Sequence, residues 1–198
     1  HLTMDQPGRP AASPQPPPVR ARWAVSTVFF INGAVLASWV PHIPAVKARH
    51  AISDGQLGIV LISMAIGSVF ALPLAGWFIA RFGSRRMTSI AALGFCLALP
   101  LPVLSPGVGL LALSLALLGA CNGILDVSMN AQAVAVERQY RRSIMSSLHG
   151  LFSLGGLVGA GVAGLEMSFV VSDVQHVTTI AVLSVLAVVA VRRWLVAS

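Results

Sequence analysis

The sequence predicts an all-α membrane protein built from six transmembrane helices. Only 10% of the 198 residues are charged and 56% are hydrophobic, whereas a soluble globular domain carries about 25% charged residues. Six apolar runs are each long enough to cross roughly 30 Å of hydrocarbon, which takes about 20 helical residues. Because apolar and polar residues do not alternate along these runs, helices are favoured over a closed β-barrel, the other structure that can span a bilayer.

The six predicted spans form one bundle over residues 22–193. They lie near residues 22–44, 54–79, 87–105, 108–136, 144–168 and 174–192, and are called spans 1 to 6. The segment before them, residues 1–21, holds six of the twelve prolines and no apolar core. Such a composition is typical of a disordered or polyproline-like segment, so a cytoplasmic tail is predicted there.

Local signals predict where the spans begin and end. Span 1 is expected to end at Pro41 and Pro44, and span 2 opens with Ser53 followed by Gln56, the spacing of a capping box. Pro73 lies inside span 2 and predicts a kink. Four turn-forming residues predict a tight turn between spans 3 and 4: Pro100, Pro102, Pro106 and Gly107.

The basic residues predict the orientation of the chain. Only Lys47 and Arg49 lie between spans 1 and 2. The other eleven flank the spans on the opposite side: Arg9, Arg20, Arg22, Arg81, Arg85, Arg86, Arg138, Arg141, Arg142, Arg192 and Arg193. Cytoplasmic loops carry the excess of arginine and lysine, so both termini are predicted to be cytoplasmic, in a multi-pass protein of the plasma (inner) membrane. Because the arginines sit at the ends of apolar runs and not along one face, nucleic acid is not an expected partner.

Span 4 carries the most informative polar residues. Asn122, Asp126 and Asn130 recur every four residues and therefore share one helix face. A charged side chain at the centre of a span costs about 2.5–3.5 kcal/mol, so Asp126 should face the bundle interior or a wet cavity. There it is a candidate for proton coupling. The alternative is a protonated or hydrogen-bonded aspartic acid that only ties helices together.

Spans 1 and 5 add further candidates for substrate binding, beside Asn122 and Asn130 of span 4. Asn32 and Trp39 lie seven residues apart on about the same face, and an amide beside an aromatic plane suits a hydroxyl-rich ligand. His149 is the fifth candidate, as a ligand contact or proton relay. The alternatives stay open: Trp39 also fits an anchor at the membrane interface, and His149 a core histidine. Gly155 and Gly159 match GxxxG and predict close helix packing.

No enzyme, cofactor or metal is expected. Cys96 and Cys121 fall in apolar runs, as inert packing residues do, and the sequence has neither CxxC nor HExxH. A membrane-embedded serine protease needs a serine and a histidine on facing helices. Ser146, Ser147 and His149 would all lie on one helix, which argues against that class of enzyme.

The loop between spans 2 and 3 resembles the signature of the major facilitator superfamily. It reads GWFIARFGSRR over residues 76–86, and the signature is roughly G-x-x-x-D-R-x-G-R-[RK]. The matching residues are Gly76, Arg81, Gly83 and Arg85. Ala80 replaces the acidic residue of the signature and Ser84 a basic one. The resemblance implies that this loop gates the cytoplasmic side of a transporter.

Residues 117–160 resemble spans 4 and 5 of the fucose-permease-like branch of that superfamily. In that branch an acidic residue in span 4 is followed four positions later by asparagine, here Asp126 and Asn130. The branch implies that this acid takes part in proton coupling and sugar binding. Its sugar symporters can carry a second acid in span 1, where this chain has Asn32 and no acid.

The resemblance covers residues 22–192, one half of a twelve-span carrier. It implies proton-coupled transport of a small solute, a sugar or another polar metabolite, by alternating access. The expected partners are that substrate, protons, the lipid bilayer, and a second six-helix half or another copy, because such carriers bind substrate between two halves. The alternative is a non-transporting membrane subunit or an inactive truncated fragment.

Overall fold

The structure is a computed structural model that describes residues 19–169 and 171–197, except for the side chain of Met167. Over those ranges the regular secondary structure is helical. Six segments are long and apolar enough to cross a membrane, which confirms the predicted fold class. The predicted tail over residues 1–21 lies outside the described residues up to residue 18, and a helix already runs from Val19.

The described residues form eight α-helices and two short 3-10 segments. The helices are α1 (Val19–Trp39), α2 (Ile43–His50), α3 (Asp54–Phe82), α4 (Ser84–Ala98), α5 (Pro100–Leu104), α6 (Val108–Tyr140), α7 (Met145–Ser168) and α8 (Asp173–Val191). The 3-10 segments are Val40–His42 and Arg192–Trp194. Spans 1 and 3 are each made of two consecutive α-helices, and the other four of one.

The start of α3 follows from its sequence. Ser53 Oγ accepts a hydrogen bond from the Gln56 amide at 3.3 Å, and the Ser53 amide donates to Gln56 Oε1 at 2.9 Å. The predicted capping box is therefore confirmed. The helix continues through Pro73 to Phe82 and ends at Gly83, whose φ of 81° favours glycine.

Two proline-based predictions were wrong. Span 1 does not end at Pro41 and Pro44, because the chain turns through Val40–His42 into α2 and stays helical to His50. The turn before span 4 is also shorter than predicted, since Pro100 and Pro102 lie inside α5. Pro41, Pro44 and Pro100 each stand in the first turn of a helix, where the missing N–H has no partner to lose.

Glycines let two helix pairs approach until their backbones touch. In the α1–α7 pair, a Cβ on Gly155 would lie 2.0 Å from the carbonyl oxygen of Phe30, and one on Gly159 2.3 Å from that of Ala34. In the α3–α6 pair, a Cβ on Gly119 would lie 1.9 Å from the carbonyl oxygen of Met64. Real side chains never come that close, so both pairs depend on glycine at these positions.

A buried glutamine ties the central helix α6 to the end of the chain. Gln132 Nε2 donates to Ser84 Oγ at 2.6 Å and to the Val196 carbonyl at 2.8 Å, and Gln132 Oε1 accepts from the Val196 amide at 2.8 Å. The α6 helix also packs against α4, which in turn contacts α8. The arginine-rich ends of α4, α6 and α8 are therefore fixed relative to one another.

Candidate functional site

Asp126 lies near the middle of α6. The helix runs from Val108 to Tyr140, so Asp126 is 18 residues from the first and 14 from the last (126 − 108 and 140 − 126). At about 1.5 Å per residue these separations are roughly 27 Å and 21 Å. The helix is longer than the roughly 30 Å of hydrocarbon that it could cross, and Asp126 falls in its middle third.

The exposed carboxylate does not share a face with the exposed leucines of α6. Leu113 and Leu117 are 64% and 47% exposed. Asp126 follows Leu117 by nine residues, about two and a half helical turns, which puts it on the opposite face. On its own face it lies between Gly119 and Ala133, seven residues to either side, and both of these are buried. Asp126 thus occupies an open gap in the face of α6 that packs against other helices.

Asp126 pairs with an amide and not with a cation. Asn130 Nδ2 donates to Asp126 Oδ1 at 3.2 Å and to the Asp126 carbonyl at 2.8 Å. No basic side chain among the described residues forms an ion pair with it. One turn earlier, Asn122 is half-buried and its Oδ1 has no hydrogen-bond partner in the described part of the chain. The stripe therefore holds a carboxylate without a counterion beside an amide oxygen that can still accept a hydrogen bond.

Asn32 connects α1 to the same region of α6. It is only 2% exposed, and its Nδ2 lies 3.5 Å from Met129 Sδ, next in sequence to Asn130. Asn32 Oδ1 is buried and finds no partner among the residues described. Trp39 is 3% exposed and belongs to the hydrophobic core, so its ring is not open to a ligand or to the membrane interface in this conformation.

His149 lies on the exposed part of α7, the helix packed along α1. Its ring meets the edge of Phe29 at a centroid distance of 5.6 Å and an angle of 89°. Ser153 Oγ donates to the His149 carbonyl at 3.1 Å. Of the predicted site residues, only Asp126 and Asn130 are joined by a hydrogen bond within the described ranges. The other candidates lie on α1, α6 and α7, and none of them forms a hydrogen bond with the carboxylate among the described residues.

The signature loop between α3 and α4 is a sharp junction. Gly83 supplies the positive φ that lets α4 begin at the next residue. Arg85 Nη2 donates to the Arg193 carbonyl at 3.0 Å, which holds the loop against the end of the chain. Arg81 is exposed, and a Cβ on Gly76 would meet only open space. Of the three arginines in this segment, Arg85 is held by a hydrogen bond, and Arg81 and Arg86 are exposed.

Sequence reasoning missed two histidine–carboxylate pairs at the opposite end of the bundle. His42 Nδ1 lies 2.8 Å from Asp173 Oδ1, and His176 Nδ1 contacts Glu166 Oε2. The two imidazole rings are 5.0 Å apart. His42 and Asp173 are 131 positions apart in sequence, so no local motif could have indicated the contact. These four residues do not meet the geometry of a metal site, and the described residues contain no other cluster that does.

The chain is similar to membrane transporters. The family model of the Major Facilitator Superfamily matches residues 23–198. An uncharacterized MFS-type transporter of Yersinia pestis is 43% identical over 73% of this chain and 38% of its own length. Membrane protein MosC of Rhizobium meliloti is 41% identical over 87% of this chain and 41% of its own. Uncharacterized transporter y4wD of Sinorhizobium fredii is 32% identical over 69% and 36%. The chain spans about two fifths of the length of these relatives.

Proposed function

The chain belongs to the major facilitator superfamily, and from that premise we propose that it forms one half of a proton-coupled carrier of a small polar solute. The carrier works by alternating access in the plasma membrane, with both termini of this half in the cytoplasm. Asp126 takes up and releases the coupling proton. The resemblance to the fucose-permease-like branch makes sugars the first solutes to test.

The environment of Asp126 carries the proposal. The carboxylate lies in the middle third of a helix long enough to cross the bilayer, on the face opposite the exposed leucines, with Asn130 as its one side-chain partner among the described residues. A purely structural aspartate would be tied to another helix, whereas this one is exposed and bonded only within α6. Ionisable groups at this depth typically mark proton or substrate pathways.

The unsatisfied amide oxygens support a polar solute. Asn32 Oδ1 and Asn122 Oδ1 are buried acceptors without partners in the part of the chain described. Leaving such a group unpaired costs about 1–3 kcal/mol. In a conformation of the transport cycle that opens these buried oxygens, a hydrogen bond donated by a solute hydroxyl would recover that energy. The second half, which the relatives' length supports, would close the solute between the two halves.

The test uses the full-length protein in proteoliposomes with an imposed proton gradient. With Asp126→Asn we expect the solute to equilibrate without accumulating, because a carrier without coupling only equalises concentrations. Exchange of labelled for unlabelled solute, which needs no net proton movement, should persist and show that the protein is folded. Asp54→Asn, an equal loss of charge at the exposed first residue of α3, is the matched control and should accumulate solute normally. Undiminished accumulation by Asp126→Asn would contradict the proposed role.

A further inference from the structure

A large cavity opens at the arginine-rich end of the bundle. It lies between the first turn of α4 and the segment that follows α8, and its volume is about 770 Å³. Four arginines from two distant parts of the sequence line it: Arg85, Arg86, Arg192 and Arg193. It is separate from the stripe around Asp126, because none of the residues that line it belongs to that stripe.

The positions of these arginines are set by the fold. Gly83 ends α3 so abruptly that Arg85 and Arg86 fall in the first turn of α4. Arg85 donates to the Arg193 carbonyl at 3.0 Å, which joins the two sides of the cavity. The Arg193 guanidinium lies 4.9 Å from the centre of the Trp194 ring. A hydrogen bond thus holds together the two chain segments that form the cavity, the start of α4 and the segment after α8.

The cavity carries positive charge that the described residues do not balance. Every acidic residue of the described ranges is engaged elsewhere: Asp54 with Lys47, Asp126 with Asn130, Glu137 with the Ile144 and Met145 amides, Glu166 with His176, and Asp173 with His42. The start of α4 adds the positive end of a helix dipole to the four guanidinium groups. Arginine cannot release its proton in a protein, so these four positive charges persist and attract anions.

We propose that this cavity binds the headgroup of an anionic phospholipid. Guanidinium groups donate paired N–H hydrogen bonds to phosphate oxygens. Basic pockets between transmembrane helices bind headgroups that carry several negative charges. Four arginines match two phosphodiesters, so cardiolipin, which has two, binds more tightly than phosphatidylglycerol, which has one.

The apolar wall of the cavity favours a lipid over free phosphate. Ile90 and Phe82 also line it, and they are 61% and 44% exposed. Ile90 lies one helical turn beyond Arg86 along α4, so it continues from headgroup level into the apolar span. An acyl chain can cover both side chains. A soluble phosphate ion would leave them bare and would fill only a small part of the volume.

The test measures lipid retention on the full-length protein by native mass spectrometry, with cardiolipin, phosphatidylglycerol and zwitterionic phosphatidylethanolamine each added alone. We expect the order of affinity to be cardiolipin, then phosphatidylglycerol, then phosphatidylethanolamine. Arg86→Gln combined with Arg192→Gln should weaken cardiolipin binding about 30-fold, from the typical contribution of each basic residue near an anionic lipid surface. Arg138→Gln combined with Arg142→Gln removes the same charge from the same end of the bundle outside the cavity, and should change binding less than about twofold.

A second pair of substitutions and a competition with phosphate complete the lipid-binding test. Arg86→Lys combined with Arg192→Lys keeps the charge but loses the paired donors, so this variant should bind cardiolipin with intermediate strength even if the glutamine variant does not fold. Equal retention of all three lipids, or equal loss in the cavity and control variants, would refute the site. Displacement of cardiolipin by millimolar inorganic phosphate would show that the cavity binds a free anion. Because the readout is binding, it is independent of whether the carrier moves a solute.

Discussion

His42 and Asp173 join two spans at the end of the bundle opposite the arginines. His42 is 1% exposed, at the end of the 3-10 segment after α1, and the side chain of Asp173 at the start of α8 is 31% exposed. His176, 2% exposed, repeats the arrangement with Glu166 near the end of α7. The Nε2 atoms of both histidines are buried and unpaired among the residues described. The two pairs therefore attach the ends of α1, α7 and α8 to one another.

A double-mutant cycle on this contact should show strong coupling. We expect His42→Ala and Asp173→Ala together to destabilise the protein less than the sum of the single changes, with a coupling energy of about 1–2 kcal/mol. Lys47 and Asp54 form the exposed comparison, with side chains 34% and 91% exposed, and should couple by about 0.5 kcal/mol or less. Thermal unfolding in detergent measures both cycles. Additive effects at His42 and Asp173 would mean that the contact contributes no stability.

At the residue scale, a contact could be predicted only when its two residues lie close together in the sequence. The Asp126–Asn130 contact follows from a spacing of four on one helix, and the hydrogen bond is observed. Gln132 and Val196 are 64 positions apart, and His42 and Asp173 are 131 apart. Such contacts depend on how whole helices pack, which no local pattern encodes. Each of these buried polar side chains gives only the weak signal that it must have a partner.

At the scale of helices, backbone contact across α3 and α6 is the strictest packing requirement. Gly67 and Gly119 face each other's helices, and an added Cβ would lie 1.9 Å from the Ala116 carbonyl oxygen and from the Met64 carbonyl oxygen respectively. These obstacles are backbone atoms and cannot rotate away, so any larger residue must push the helices apart. On α6, Gly119 lies about one helical turn before the Asp126 stripe begins at Asn122, which links packing to the site.

Gly119→Ala should therefore lower stability although alanine favours helices. Overpacking typically costs about 1–3 kcal/mol, and we expect the upper part of that range because the collision involves backbone. Gly109→Ala is the matched control on the same helix, since a Cβ there meets nothing within 4 Å. It should leave stability unchanged or raise it by up to about 1 kcal/mol. Unfolding temperatures in one detergent compare the two, and equal temperatures would contradict the packing account.

Helix existence could be predicted from the sequence better than helix ends. The six apolar runs gave the six spans, because burial in lipid dictates both length and composition. Ser53 and Gln56 fixed one start, since a capping box is a local hydrogen-bonding arrangement. The helix ends predicted from Pro41 and Pro100 were wrong, because proline disfavours the middle of a helix but suits its first turn.

For the molecule as a whole, the helices are unevenly covered. Only 11% of the residues are buried in an apolar 18-residue stretch of α3, whereas 61% are buried in the corresponding stretch of the span that starts at Val19. Large apolar side chains such as Phe70 and Trp77 on α3 are exposed, at 74% and 59%. Such faces must meet lipid or another set of helices. The bundle thus has α1 in its interior and α3 on its surface.

The charge distribution predicts how this bundle sits in the membrane. The helix order puts the ends of α3, α6 and α8 on one side with their arginines, and α2 with Lys47 and Arg49 on the other. Arginine-rich ends remain in the cytoplasm. We expect Ser143→Cys, in the exposed loop between α6 and α7, to react with a membrane-impermeant maleimide only after cells are permeabilised. Ala48→Cys, exposed on α2, should react in intact cells.

The parent protein is the control for this labelling. Cys96 is buried and Cys121 half-buried, both inside spans, so these two thiols should add little label under either condition, and each variant is compared with the signal of the parent. Labelling of Ser143→Cys in intact cells, with Ala48→Cys protected, would show that the bundle has the opposite orientation in the membrane. The arginine cavity and the signature loop would then face away from the cytoplasm. The histidine–carboxylate pairs would lie on the cytoplasmic side instead, and the signature loop could not gate that side.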